Sequence, residues 1–168
     1  NVAFVFPGQG SQSVGMLAEL GAHHAIVIEA FSQASEVLGY DLWQLVQRDE
    51  EGQLNQTHIT QPALLTASVA LWRLWLQQGG VTPSILAGHS LGEYSALVCA
   101  GALDFTDAVR LVQARGQFMQ AAVPSGEGAM AAIIGMDDAV VASVCEASAE
   151  GQVVAPANYN SPGQVVIA

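Results

Sequence analysis

Ser84-Ile85-Leu86-Ala87-Gly88-His89-Ser90-Leu91-Gly92-Glu93-Tyr94-Ser95-Ala96-Leu97-Val98-Cys99-Ala100 decides the fold of this chain. Ser84 to Ala87 is a short apolar run with strand character, and Leu91 to Ala100 has the composition of a helix. The pentapeptide Gly88 to Gly92 lies between them. A Gly-x-Ser-x-Gly segment on a sharp strand-to-helix turn lets the backbone adopt a strained bend that lifts the serine hydroxyl into the open. The helix that follows points its free N–H groups and positive dipole end at that serine, which favours an oxyanion beside it. Ser90 is therefore a candidate nucleophile, with the backbone N–H of Leu91 as one donor. The competing structural reading is a tight turn with a serine helix cap.

Outward from this turn, apolar strands alternate with amphipathic helices, the pattern of a parallel sheet covered by helices. Val2 to Phe6 reads as a buried first strand ended by Pro7-Gly8. Helical patterns follow at Ile26 to Leu38 and Tyr40 to Val46, then a polar loop over Gln47 to Thr57. Thr60 and Pro62 read as a helix start and Gly79-Gly80 as its stop. The apolar residues between them, Leu64 to Leu76, run nearly all the way round, as in a helix buried on most faces. Thr106 to Ala122 carries Ala108, Leu111, Val112, Met119 and Ala122 on one stripe, with Arg110, Gln113 and Gln117 opposite. Arg115 falls on the apolar stripe.

Pro124 to Gly128 concentrates turn residues and marks a boundary near residue 124, separating residues 1–123 from 124–168. Beyond it, Ala129 to Ile134 reads as strand, Asp137 to Ala149 as helix, and Val153 to Tyr159 and Gln164 to Ala168 as strands around an Asn160 to Gly163 turn. That βαββ order is the first part of a ferredoxin-like, split βαββαβ unit, so the chain is expected to be truncated.

Composition narrows the function. With 168 residues and 51% of them hydrophobic, the chain can bury a core. Charged residues make up 11%, against about 25% in an average soluble domain, so an isolated chain is expected to expose apolar surface and associate. The net charge of −11, with four Arg and no Lys, argues against nucleic acid. No run has the length of a membrane span and no secretory signal is visible, which makes a soluble, cytoplasmic protein the expectation. Cys99 and Cys145 read as reduced core residues, Trp72 and Trp75 as core, and His23 and His24 as part of a loop. None of the four histidines has metal-ligand spacing, so no metal is expected.

A second glycine-rich loop, Phe6 to Gln12, follows the first strand. It departs from a dinucleotide fingerprint because position 13 is Ser and the third glycine is Gly15. Loops at the carboxyl ends of parallel strands meet in one crevice, so Gln9 could offer a second backbone N–H to the oxyanion at Ser90.

Phe6-Pro7-Gly8-Gln9-Gly10-Ser11-Gln12, Thr60-Gln61-Pro62-Ala63, Gly88-His89-Ser90-Leu91-Gly92-Glu93, Arg115-Gly116 and Asn158 to Gln164 occur together in that order. In these the chain resembles the malonyl-CoA:acyl carrier protein transacylases of bacterial fatty acid synthesis, over about the first half of such an enzyme. The resemblance implies an α/β-hydrolase-like large subdomain, incomplete here, with the catalytic cleft between it and the small subdomain. It implies that Ser90 takes the malonyl group from malonyl-CoA and passes it to the phosphopantetheine thiol of acyl carrier protein. Gln9 and Leu91 would form the oxyanion hole, Gln61 would line the pocket, and no cofactor is implied, since both thioesters are substrates. Arg115 would bind the free malonyl carboxylate, a charged hydrogen bond of about 1.5 to 3 kcal/mol, and favour malonyl over acetyl. An internal pair with Glu93 is the structural alternative for Arg115.

The family's catalytic histidine would lie beyond residue 168, so residues 1–168 alone are expected to be inactive. His89, adjacent to Ser90, points in a different direction. A serine esterase or thioesterase is the enzyme rival, and a non-catalytic carrier-protein docking module is the other.

Overall fold

The computed structural model describes residues 2–123 and 126–168. The chain forms two compact units, Asn1–Ala122 and Val123–Ala168. The expected boundary residue Pro124, with Ser125, lies outside the described residues.

In the first unit, β1 (Ala3–Phe6) and β2 (Ile85–Gly88) pair in parallel, with Phe6 opposite Gly88. The two strands thus end level, and the loops that follow them start side by side. β1 is not buried throughout as its apolar run implies: Val5 is 78% exposed while Phe6 is buried. The alternation follows from the pleat, which turns successive side chains to opposite faces.

Among the described residues this unit also contains six helices: α1 (Ala18–His23), α2 (Ala25–Leu38), α3 (Leu42–Arg48), α4 (Thr57–Gln77), α5 (Leu91–Cys99) and α6 (Phe105–Ala121). α1 is a correction to the sequence reading. His23 is its last residue and His24 joins it to α2, so neither lies in an extended loop. α1 buries no residue and therefore leaves no apolar periodicity to read.

α4 starts at Thr57, earlier than the Thr60–Pro62 signal, and Pro62 lies inside it. Only the bond from position 62 to the His58 carbonyl is lost, and the fixed φ of proline is already helical. From Ile59 to Ala70 every residue of α4 is buried, against α2, α5 and α6. Its final turns are not: Leu71, Trp75 and Leu76 are exposed. Phe4 meets Trp72 and Trp75 edge to face at 5.5 and 5.3 Å, which places both tryptophans against β1 as packing residues. α6 buries Phe105, Ala108, Val109, Val112 and Gly116. Leu111 and Met119, expected on that stripe, flank it and are about half exposed. The buried face is rotated toward Gly116, which lets α6 approach the start of α4 closely.

The second unit comprises β3 (Ala131–Ile134), α7 (Asp138–Ser148), β4 (Pro156–Ser161) and β5 (Gln164–Ile167). The strands are antiparallel in the order β3-β5-β4. Val141 and Cys145 of α7 pack on Val165, with Ile133 and Ile167 beside them. β4 begins at Pro156 instead of Val153. Asp137 caps α7 by accepting from Ala139 N–H at 2.9 Å.

Candidate functional site

Ser90 has φ 53° and ψ −106°, a conformation that costs a non-glycine residue about 1 to 3 kcal/mol. The glycines around it make that bend possible by close approach. A Cβ on Gly88 would lie 2.0 Å from the backbone of Gly92, and one on Gly92 would lie 2.1 Å from the Phe6 carbonyl oxygen. The elbow is thus wedged between its own helix and the end of β1, and no side chain fits at either glycine.

The serine does not act as a helix cap. The N–H groups of Gly92 and Glu93 donate to the backbone carbonyls of His89 and Ser90, at 2.9 and 3.3 Å, and the Ser90 side chain caps nothing. Its Oγ instead accepts from Nη2 of Arg115 at 3.1 Å. Nη1 of the same guanidinium donates to Oε1 of Gln61 at 2.9 Å. Arg115 therefore ties together three segments that are distant in sequence.

Gly116 explains how Arg115 reaches them. A Cβ there would lie 2.5 Å from the Cα of His58, so α6 touches the first turn of α4 backbone to backbone. That contact sets Arg115 beside Gln61, one turn further along α4. Gln61 is fully buried and its Nε2 meets Sδ of Met119 at 3.3 Å. Arg115 is half-buried, and its Cζ stands 5.6 Å from the centroid of the Tyr94 ring. Among the described residues, no carboxylate forms an ion pair with it. Glu93, the structural alternative, is exposed and forms no ion pair with Arg115.

The loop after β1 lies against the elbow: a Cβ on Gly8 would be 3.1 Å from the His89 carbonyl oxygen. It is tied down by side chains. Ser11 Oγ donates to the Gly8 carbonyl at 2.7 Å, Gln12 Oε1 accepts from Gly10 N–H at 2.8 Å, and Gln12 Nε2 donates to Asn55 at 2.8 Å. The Gln9 side chain is engaged with Thr57, Nε2 donating to Oγ1 at 3.3 Å. Leu91 is the first residue of α5, and an N–H in that position has no acceptor within the helix.

The structure thus brings Ser90, Gln61 and Arg115 into direct contact and sets Leu91 and the Gln9 loop at the same turn. Tyr94 and Thr57 complete the surroundings without having been singled out by the sequence. The signal for Tyr94 is its place in the first turn of α5, directly after the elbow. Of the histidines, His58 is engaged through Nδ1 with Gln120 Oε1 at 2.9 Å. Among the described residues, no cluster of His, Cys, Asp and Glu could hold a metal ion, and no helix is long and apolar enough to cross a membrane.

A malonyl CoA-acyl carrier protein transacylase of Salmonella typhimurium is 70% identical over 166 residues, covering 99% of this chain and 54% of the relative. The crystal structure of an acyl carrier protein S-malonyltransferase from Vibrio cholerae matches with a TM-score of 0.91 at 64% identity, over 98% of this chain and 54% of that one. A malonyl-transacylase in complex with its type II PKS acyl-carrier protein matches with a TM-score of 0.92 at 61% identity, over 98% of this chain and 53% of that one. The chain spans about half the length of these relatives. The family model of the acyl transferase domain matches residues 3–168 and leaves only Asn1 and Val2 outside it, so the chain belongs to the acyl transferase family.

Proposed function

We propose that this chain supplies the nucleophile and the substrate clamp of a malonyl-CoA:acyl carrier protein transacylase in bacterial fatty acid synthesis. The observation that carries this reading is the state of Arg115, a half-buried cation with neutral partners, Ser90 and Gln61, and no carboxylate beside it among the described residues. A guanidinium cannot shed its charge, so a site of this kind is completed by an anion from outside. A malonyl group brings one next to the carbonyl that Ser90 attacks.

In this reading Ser90 Oγ adds to the thioester carbonyl of malonyl-CoA, and the Leu91 and Gln9 N–H groups stabilise the oxyanion. Each donor of this type is worth about 3 to 4 kcal/mol of barrier. The C–S bond then breaks, CoA leaves as the thiol with the serine proton, and malonyl stays on Ser90 as an ester. The phosphopantetheine thiol of acyl carrier protein attacks that ester and frees the serine. The partner of Ser90 Oγ in this chain, Arg115, is a donor with no lone pair to accept a proton. We therefore assign the general base to a histidine outside residues 1–168, and residues 1–168 alone would not turn over.

The parallel β1–β2 pair with its elbow supports an α/β-hydrolase-like large subdomain, and the β3-β5-β4 order with α7 on one face supports a ferredoxin-like small one. The relative solved with a carrier protein supports that class of acceptor.

The reading is tested by incubating the full-length protein with malonyl-CoA and holo acyl carrier protein. Malonylated carrier is the expected product. Free malonate without malonylated carrier would instead identify a hydrolase.

A further inference from the structure

Arg115 can work as a clamp only if its guanidinium is held in place before substrate arrives, and two hydrogen bonds from a long, flexible side chain do not fix its plane. Tyr94 supplies a third contact, with its ring centroid 5.6 Å from Cζ of Arg115. That is within the range of about 6 Å over which an aromatic face attracts a cation. Tyr94 lies in the first turn of α5, directly after the elbow, and the same guanidinium that meets its ring donates to Ser90 Oγ. The ring is half-buried and packed against the main core, which makes it a fixed surface.

We propose that Tyr94 is a positioning residue for malonyl selectivity, its ring holding the Arg115 guanidinium beside Ser90 in readiness for the substrate carboxylate. The choice of an aromatic ring has a physical reason. A carboxylate in this place would neutralise the guanidinium and compete with the substrate, whereas a ring attracts the cation through its quadrupole and leaves its charge uncancelled. Gln61 does the same from α4 through a neutral amide oxygen. Both supports steady the cation without satisfying it.

This inference rests on the malonyl reading, and the test separates the two. In the full-length enzyme, kcat and KM are measured with malonyl-CoA and acetyl-CoA for Tyr94→Leu, Tyr94→Phe, Arg115→Ala and the Tyr94→Leu/Arg115→Ala double variant. Tyr94→Leu is expected to lower the malonyl-to-acetyl ratio of kcat/KM by about three- to ten-fold, mainly through a higher KM for malonyl-CoA. Tyr94→Phe keeps the ring face and should retain the ratio. In the Arg115→Ala background the leucine should have no further effect on it. If Tyr94→Leu does not fold, Tyr94→Met fills the same space without a ring and replaces it.

Equal losses with both acyl groups would make the ring a packing residue and overturn the inference. So would a Tyr94→Phe variant as impaired as Tyr94→Leu. If Arg115→Ala abolishes the preference while Tyr94→Leu leaves it intact, only the role of Tyr94 fails. An unchanged preference in Arg115→Ala defeats the clamp itself.

Discussion

Arg115 Nη2 donates to Ser90 Oγ across 3.1 Å, joining α6 to the elbow at the start of α5. The contact occupies a lone pair of the serine with a cationic donor. It also puts a group that can bind a carboxylate within one side chain of the oxygen that would attack the neighbouring carbonyl. In the proposed function, reactivity and selectivity would both rest on this pair of residues.

The strain at Ser90 should be measurable as stability. Replacing it with Gly removes the Cβ that disfavours φ 53°, whereas Ala retains it. Ser90→Gly is expected to be more stable than Ser90→Ala by about 1 kcal/mol, after allowing for the greater freedom of glycine in the unfolded chain. Urea unfolding of the two variants provides the comparison. An Ala variant as stable as the Gly variant would mean that the elbow stores no such strain.

Gly92 should tolerate no side chain. Its added Cβ would stand 2.1 Å from the Phe6 carbonyl oxygen, and backbone cannot move aside as a flexible side chain can. Gly92→Ala is predicted to lose at least about 2 kcal/mol and to displace Ser90 from Arg115. Gly39→Ala makes a useful contrast, because a Cβ there meets nothing within 4 Å and its cost comes only from φ 80°.

Cys99 should be chemically silent in the folded protein. Burial pushes its thiol up to about 12, against a smaller opposing pull from Arg73. Thiolate is the reactive form, so in a Cys145→Ala variant a disulfide reagent near pH 8 should label Cys99 only after denaturant is added. Labelling of the native protein at the rate of a free thiol would contradict this burial.

Asp104 should make the stability of α6 pH-dependent. Its carboxylate caps the helix and is held below the usual carboxylate range, first by the Thr106 hydroxyl, then by the N–H groups of Asp107 and Thr106. Since the folded value is the lower one, the stabilisation is present above the unfolded value of about 4 and is lost as pH falls through the folded value. Thermal melts of the parent and Asp104→Ala should differ near neutral pH and converge in acid. A difference that stays constant down to about pH 2 would remove the charge from the explanation.

Much of this was legible in the sequence, and the failures have local causes. The elbow could be read because its glycines are fixed by backbone contacts, with Gly88 on Gly92 and Gly92 on Phe6, and such contacts admit no substitute. The position of Arg115 on a helix face was legible from periodicity. Its partners were not, because the link to Gln61 depends on how closely Gly116 lets α6 approach His58, a distance that no one-dimensional pattern contains. α1 leaves no signal because it buries nothing, and the start of α4 is masked because a proline in its second turn looks like a first residue. The half-exposed face of β1 was hidden by a run in which every residue is apolar.

Acyl selectivity of the Arg115→Ala variant is the most direct test of the central claim. In the full-length enzyme, kcat/KM for malonyl-CoA relative to acetyl-CoA is predicted to fall by about ten- to a hundred-fold when the guanidinium is removed. An unchanged ratio would show that Arg115 only supports the fold around Ser90 and that the malonyl carboxylate is bound elsewhere.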